Sequence, residues 1–185
     1  MAKNVYIDNY RNTPEQNLVQ DLIMESIDFN GHEVYWLPRK VSADQYDQIY
    51  GEDPGKYFDE AHLICMYVKS AEGWGGERDT LTRFGLEIRE QITLEVSIKR
   101  VNELLGENPH LAASRSRPRE GDLLFLDFAL PGTSDAQRSG TILEINFVEH
   151  ESIFYQLGEL YVYELQCETY RYANEEFTTG VIDID

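Results

Sequence analysis

The sequence predicts a mainly β fold of the α+β kind: an antiparallel β-barrel or sandwich with an N-terminal helix and long loops. Three observations predict it. Ile92, Leu94, Val96 and Ile98 alternate with Gln91, Thr93, Glu95 and Ser97, the period of a strand with one wet face. Leu123–Phe128, Thr141–Val148 and Leu160–Tyr172 are rich in β-branched, aromatic and leucine residues. The first two are joined by Pro131–Gly140, a polar stretch suited to a hairpin connection.

The elements follow in chain order. Thr13-Pro14-Glu15-Gln16 reads as a capping box opening a helix over 14–30, with Thr13 at the N-cap and Gln16 at N3. Leu18, Leu22, Val19, Ile23 and Ile27 recur at helical spacing, predicting one apolar stripe laid on the sheet or turned to a neighbouring subunit. Asn30-Gly31 reads as its stop, through the left-handed conformation glycine tolerates. Glu33–Leu37 is a strand ended by Pro38, and Asp44–Tyr50 a short helical turn. His62–Val68 is apolar on both faces and predicts an inner strand.

Ala71–Asp79 is a glycine-rich loop with Trp74 at its tip. Val101–Leu105 is a short helical piece, and Gly106–Arg119 reads as irregular and basic. In the last strand Tyr161, Tyr163, Leu165 and Cys167 form the inward set, opposite Glu164, Gln166 and Glu168. Residues 173–185 form a tail with four acids and no base. No repeat and no Pro/Ser linker divides the chain, so residues 1–185 read as one domain.

The net charge of −18 argues against wrapping DNA or coating an anionic membrane, because phosphate binding needs clustered Lys and Arg. No apolar run approaches the roughly 18 residues of a membrane span. The start lacks a signal-peptide core, which predicts synthesis and residence in a cytoplasm. Cys65 and Cys167 lie in strand-like runs and read as free thiols.

The candidate chemistry is thin. His32, His62, His110 and His150 are scattered, and neither C-x-x-C nor H-E-x-x-H occurs. A metal site from His62, Cys65, His150 and Cys167 needs the strands to meet, and strand cysteines are more often core residues. Gly73-Trp74-Gly75-Gly76 lacks the Gly-Lys-Ser/Thr ending of a P-loop. Glu149 and Glu151 flank His150, a pattern of base, acid and orienter that strand edges also present without catalysis. The expectation is therefore a protein with no catalytic, cofactor or metal residues.

Binding residues are the better prospect. Trp74 on its glycine-rich tip, the Arg115, Arg117 and Arg119 loop on an acidic chain, and Tyr155, Tyr170 and Tyr172 near strand ends are the candidate interface residues. A basic loop meeting an identical neighbour's acidic face gives a head-to-tail ring contact.

Phe84–Arg89, Arg117–Asp122, Phe147–His150 and Phe154–Gly158, with Thr13–Leu18, Val34–Arg39 and Tyr50–Asp53 ahead of them, resemble the virus neck protein family of contractile-tailed bacteriophages. The likeness runs from about Thr13 to Gly180. It implies a structural virion protein, not an enzyme, that assembles in the host cytoplasm as a ring of six copies, or alternatively twelve. Such a ring completes the DNA-filled head and joins it to the tail. The implied partners are further copies, the portal and adaptor-side neck proteins and the tail terminator. Genomic DNA passes through without specific binding. In this picture the acidic tail lies on a neighbour's sheet edge as an added strand. The alternative expectation is an acidic β-barrel module that inhibits a host nucleic-acid-binding protein by presenting DNA-like charge.

Overall fold

A computed structural model describes residues 12–40, 57–72, 79–82, 85–88, 91–127, 140–149 and 158–170. The chain runs α1 (Thr13–Asn30), β1 (His32–Leu37), β2 (Arg39–Lys40), β3 (Tyr57–Phe58), β4 (His62–Glu72), β5 (Asp79–Thr82), β6 (Gly85–Ile88) and β7 (Gln91–Ser97). It continues through α2 (Ile98–Glu107), α3 (Pro109–Ser114), β8 (Leu123–Leu126), β9 (Thr141–Glu149) and β10 (Val162–Thr169). The expected turn at 44–50, the Trp74 loop and the hairpin loop from 131 to 139 lie outside the described residues.

Six strands close into an antiparallel barrel in the order β1-β4-β7-β10-β9-β8, which resolves the expected barrel-or-sandwich alternative in favour of the barrel. Register shifts place an extra residue, Lys69, in β4 opposite β7 and another, Asn146, in β9 opposite β10. Such bulges add local bend and twist, which a six-stranded closure needs. A barrel this narrow is filled by its own side chains. Trp36, Met66, Leu94, Leu124, Leu143 and Leu165 are fully buried in it. Val101 and Leu105 of α2 and Leu111 of α3 join the same cluster, so these helices pack onto the barrel core. The stretch expected to be irregular from Gly106 to Arg119 thus contains a helical turn started by Pro109, whose fixed φ suits a first helical position.

Period-2 reasoning holds best in β7, where Ile92, Leu94 and Val96 are buried and alternate with wetter residues. It also holds in β10, with Tyr161 just before the strand, Leu165 and Cys167 buried and Tyr163 half-buried. In β4 the inner position is right and the two-sided burial is not. Ile64 and Met66 point inward, whereas Leu63 and Tyr67 are exposed on the barrel's outer surface. The reverse occurs in β8, which is buried on both faces. Leu124 and Leu126 point into the barrel. Leu123 and Phe125 join Leu37, Ile142 and Tyr170 in a second cluster, completed by Tyr35, Phe58 and Ala61.

The helix α1 departs from its sequence reading at both ends. Asn12, not Thr13, is the N-cap, and no side chain caps the helix, so the capping box does not form. The carbonyl of Asn12 accepts from the N–H groups of Glu15 and Gln16, and the Gln16 side chain is buried. Gly31 is extended, with φ −88° and ψ 178°, so it does not end the helix by a left-handed turn. Its requirement is space. A Cβ there would lie 2.5 Å from the Ile27 carbonyl oxygen, 2.7 Å from that of Met66 and 2.9 Å from Cys65 Sγ.

The expected single stripe also divides. Ile27 is buried and Val19 and Ile23 are half-buried against the barrel, but Leu18, Leu22 and Phe29 are 59%, 55% and 83% exposed. Successive helical residues are rotated by about 100°, so Leu18 and Leu22 cannot share the face of Val19 and Ile23 when the helix is pinned. The pins are ion pairs to α2, Asp21 with Lys99 and Asp28 with Arg100.

Both cysteines are free thiols, as expected. Closure leaves the barrel without a free strand edge, so the added-strand role expected for the tail has no site on it. Edges remain on the two-stranded sheets β2-β3 and β5-β6. No helix among the described residues is long and apolar enough to cross a membrane.

Two outcomes follow from this packing. Gly31→Ala forces the added methyl into two carbonyl oxygens and should lower the unfolding free energy by about 2 kcal/mol, read by urea denaturation. Burial raises the pKa of both thiols, with Cys167 enclosed and Cys65 donating to the Ile27 carbonyl at 3.6 Å. A thiol-reactive disulfide reagent should therefore label Cys167 only when the protein unfolds, and Cys65 well below the rate of a free thiol.

Candidate interaction site

The segment from Ser114 to Asp122 forms the most heavily hydrogen-bonded irregular structure among the described residues. Arg119-Glu120-Gly121-Asp122 is a tight turn, closed by the Asp122 N–H donating to the Arg119 carbonyl. Gly121 has φ +87°, a conformation that disfavours any side chain. The turn is fastened to β9 by a backbone pair. The Gly121 N–H donates to the Ile145 carbonyl at 2.8 Å, and the Ile145 N–H to the Asp122 carbonyl at 2.9 Å.

This turn aims the Asp122 carboxylate inward, where it is 1% exposed. Four groups converge on it. Trp36 Nε1 donates at 3.0 Å, the Arg39 N–H at 2.9 Å and the Arg119 N–H at 3.0 Å. Arg115 Nη1 reaches both carboxylate oxygens, at 2.8 and 2.6 Å. Arg115 Nη2 then donates to the Arg39 carbonyl at 2.6 Å, and its guanidinium lies 5.6 Å from the centre of the Trp36 ring. One carboxylate thus ties β1, β2, the end of α3 and the start of β8 together.

The expected docking loop therefore divides. Arg115 is buried and its charge is spent inside the chain, so it has no surface to lend a neighbour. An arginine charge this deep requires an acid, and the sequence reading missed that Asp122, seven residues on, supplies it. The available signal was a lone aspartate between a glycine and the apolar run Leu-Leu-Phe-Leu, since an acid entering a core strand needs a cation. Arg117 is half-buried, and Arg119 is exposed with its guanidinium donating to the Ser114 carbonyl. Tyr170 is also buried, in the second cluster. Trp74, Tyr155 and Tyr172 lie outside the described residues, as do His150 and Glu151. The structure does not bring His62 and Cys65 together with Cys167 as a metal site, and no metal-binding group of His, Cys, Asp or Glu occurs among the described residues.

Beside the buried pair lies an open groove of about 1010 Å³ between the β2–β3 segment and the α2–α3 corner. Arg39, Lys40, Arg115 and Arg119 line it together with His62 and His110. Asp59, Glu60 and Glu107 are its acids. Burial acts to raise the Asp59 pKa, but the hydrogen bond from Lys40, the Glu60 N–H and the Lys40 charge outweigh it and hold it below the ordinary value. Burial lowers His62, and the Arg115 charge adds to that effect, while Asp59 and Glu60 oppose it. Among the described residues no metal-binding group of His, Cys, Asp or Glu converges here. The groove is suited to binding charged groups.

Two measurements check this arrangement. Asp122→Ala leaves the Arg115 charge buried without its acid and should cost about 3–5 kcal/mol of unfolding free energy. In a double-mutant cycle, Arg115→Met combined with Asp122→Ala should lose well under the sum of the two single effects. The His62 pKa is lower folded than unfolded, so its contribution is fully present above the unfolded value near 6.5 and declines as pH falls. His62→Gln should flatten the acid limb of the stability–pH profile and leave the slope above pH 7 unchanged.

A sequence model of the family described as virus neck protein matches residues 2–184, nearly the whole chain. The match spans the helix, all six barrel strands and the Asp122 turn. The chain belongs to the virus neck protein family.

Proposed function

We propose that the protein is a structural component of the phage neck, and that copies of it form a ring that completes the DNA-filled head and joins it to the tail. Family membership supports a structural place in the neck and association with other virion components. On the molecule, the observation that carries the finer reading is the bare side of α1. The helix is fixed to the barrel by Ile27 and to α2 by ion pairs, yet keeps Leu18, Leu22 and Phe29 in solvent. Apolar residues grouped on one exposed face of a fixed helix are what an interface uses. In this reading the whole chain acts as one domain and catalyses no reaction. Arg117 and Arg119 contribute polar contacts at the rim, and Trp74, Tyr155 and Tyr172 are further contact residues. DNA passes the ring without being gripped, consistent with a charge of −18.

Leu18→Glu with Leu22→Glu tests the assignment. Both residues are exposed, so unfolding free energy should change by no more than about 0.5 kcal/mol per site. Electron microscopy of lysates should then show DNA-filled heads and free tails in place of joined particles. Normal joining by this variant would remove the α1 face from the account. Normal particles made without the protein would remove the neck role itself.

A further inference from the structure

The geometry points to a basic amphipathic helix of a different protein as the occupant of the exposed face of α1. This rests on the reading of that face as an interface, and adds the chemistry of the partner that fits it.

The first observation is spacing. Leu18, Leu22, Glu25 and Phe29 are all exposed and follow one another at intervals of four, three and four residues. Alternating threes and fours are the repeat with which one helix packs lengthwise on another. At about 100° and 1.5 Å per residue, the four fall within about 60° of the helix circumference and along about 16 Å of its axis.

The second observation is a slot beside this stripe. On the flank turned away from α2, α1 and the barrel wall enclose a groove of about 430 Å³, lined by Ile23, Ile27, Tyr67 and Val162. Ser26 and Asn30 line it on the side nearest the stripe. A helix laid along the stripe sets a large apolar side chain into the slot, as hot-spot residues of interfaces do.

The third observation is charge. α1 carries Glu15, Asp21, Glu25 and Asp28 and neither lysine nor arginine. Asp21 and Asp28 are already paired, with Lys99 and Arg100 of α2. Glu15 and Glu25 have no ion-pair partner among the described residues. Glu25 stands inside the stripe, and Glu15 lies on the same face at its start. A partner that covers the stripe takes both carboxylates out of water, so it must bring cations to them.

A second copy of α1 does not meet that requirement. Laid antiparallel and centred on Leu22, it sets Glu15 against Phe29 and Glu25 beside Leu18. Laid parallel, it stacks Glu25 on Glu25. Either way carboxylates are covered with no cation. In α2 both cations are taken, and α3 has none. A different protein's helix, with apolar residues at matching spacing and Lys or Arg beside them, supplies what is missing. The α1 face then serves joining, and contacts between copies use other surfaces.

Two designed peptides of about 21 residues test the inference, both with Leu at the a and d positions of a heptad, one with Lys and the other with Glu at e and g. By fluorescence anisotropy at roughly 50 mM salt, the Lys peptide should bind the protein at least about tenfold more tightly than the Glu peptide. E15Q/E25Q should weaken that binding about tenfold. E107Q/E120Q removes the same charge from exposed sites elsewhere and should leave binding unchanged. L18S/L22S alters no charge and should abolish it. All these positions are exposed, so the variants should fold, with circular dichroism as the check.

Equal binding of the two peptides would overturn the inference. So would binding that survives L18S/L22S, or a loss in E107Q/E120Q as large as in E15Q/E25Q. Self-association of the protein that L18S/L22S abolishes, read by sedimentation, would overturn it in favour of a second copy. Failure of the interface reading looks different: joining is then normal in the Leu18→Glu, Leu22→Glu variant. Blocked joining in that variant, with peptides that bind equally, leaves the face an interface and removes only the basic helix.

Discussion

A buried carboxylate cannot be left without partners, and the arrangement around Asp122 follows from that requirement. The group is 1% exposed, and an ion in that setting loses its hydration unless the protein replaces it. Here the replacement is complete: an indole N–H, two backbone N–H groups and a guanidinium all point at it. Each donor comes from a different part of the chain, so satisfying one charge fixes the relative positions of β1, β2, the end of α3 and the start of β8. Gly121 makes this possible, because only its positive φ lets the turn deliver the carboxylate inward.

Closure is the second constraint. Six strands form a barrel too narrow for anything but side chains, and its wall is then free to carry different surroundings on its outer face. On β8 that outer face is covered by the second cluster, and on β4 it is open to solvent at Leu63 and Tyr67. The barrel has no edge to offer, which directs association to helix faces, loops and grooves and away from strand addition. The exposed side of α1 and the groove beside Arg115 are two such surfaces among the described residues.

These features leave binding surfaces at set places on the molecule. The buried Arg115–Asp122 ion pair holds the segments that carry those surfaces in fixed relation to one another. Membership of the virus neck protein family agrees with that character. The family match and the geometry speak to different levels. One places the chain among structural virion proteins, and the other says which surfaces are left for neighbours.

The alternation in 91–97 and 161–167, and the apolar density of 123–126, determined by themselves that the fold is a β body, and the helical spacing of apolar residues from Leu18 to Ile27 determined its N-terminal helix. Period-2 burial is a local property, readable wherever each residue's face decides its solvent. What the sequence did not determine was whatever depends on two distant segments meeting. Leu18 and Leu22 look like core residues until α2 pins the helix by Asp21 and Asp28. Gly31 looks like a left-handed stop until Met66 arrives beside it. Arg115 looks like a surface cation until Asp122 and Trp36 enclose it. Only the tertiary structure decided these, because burial and charge pairing are set by neighbours in space, and a barrel brings together residues as far apart in sequence as Lys69 and Glu164, 95 positions.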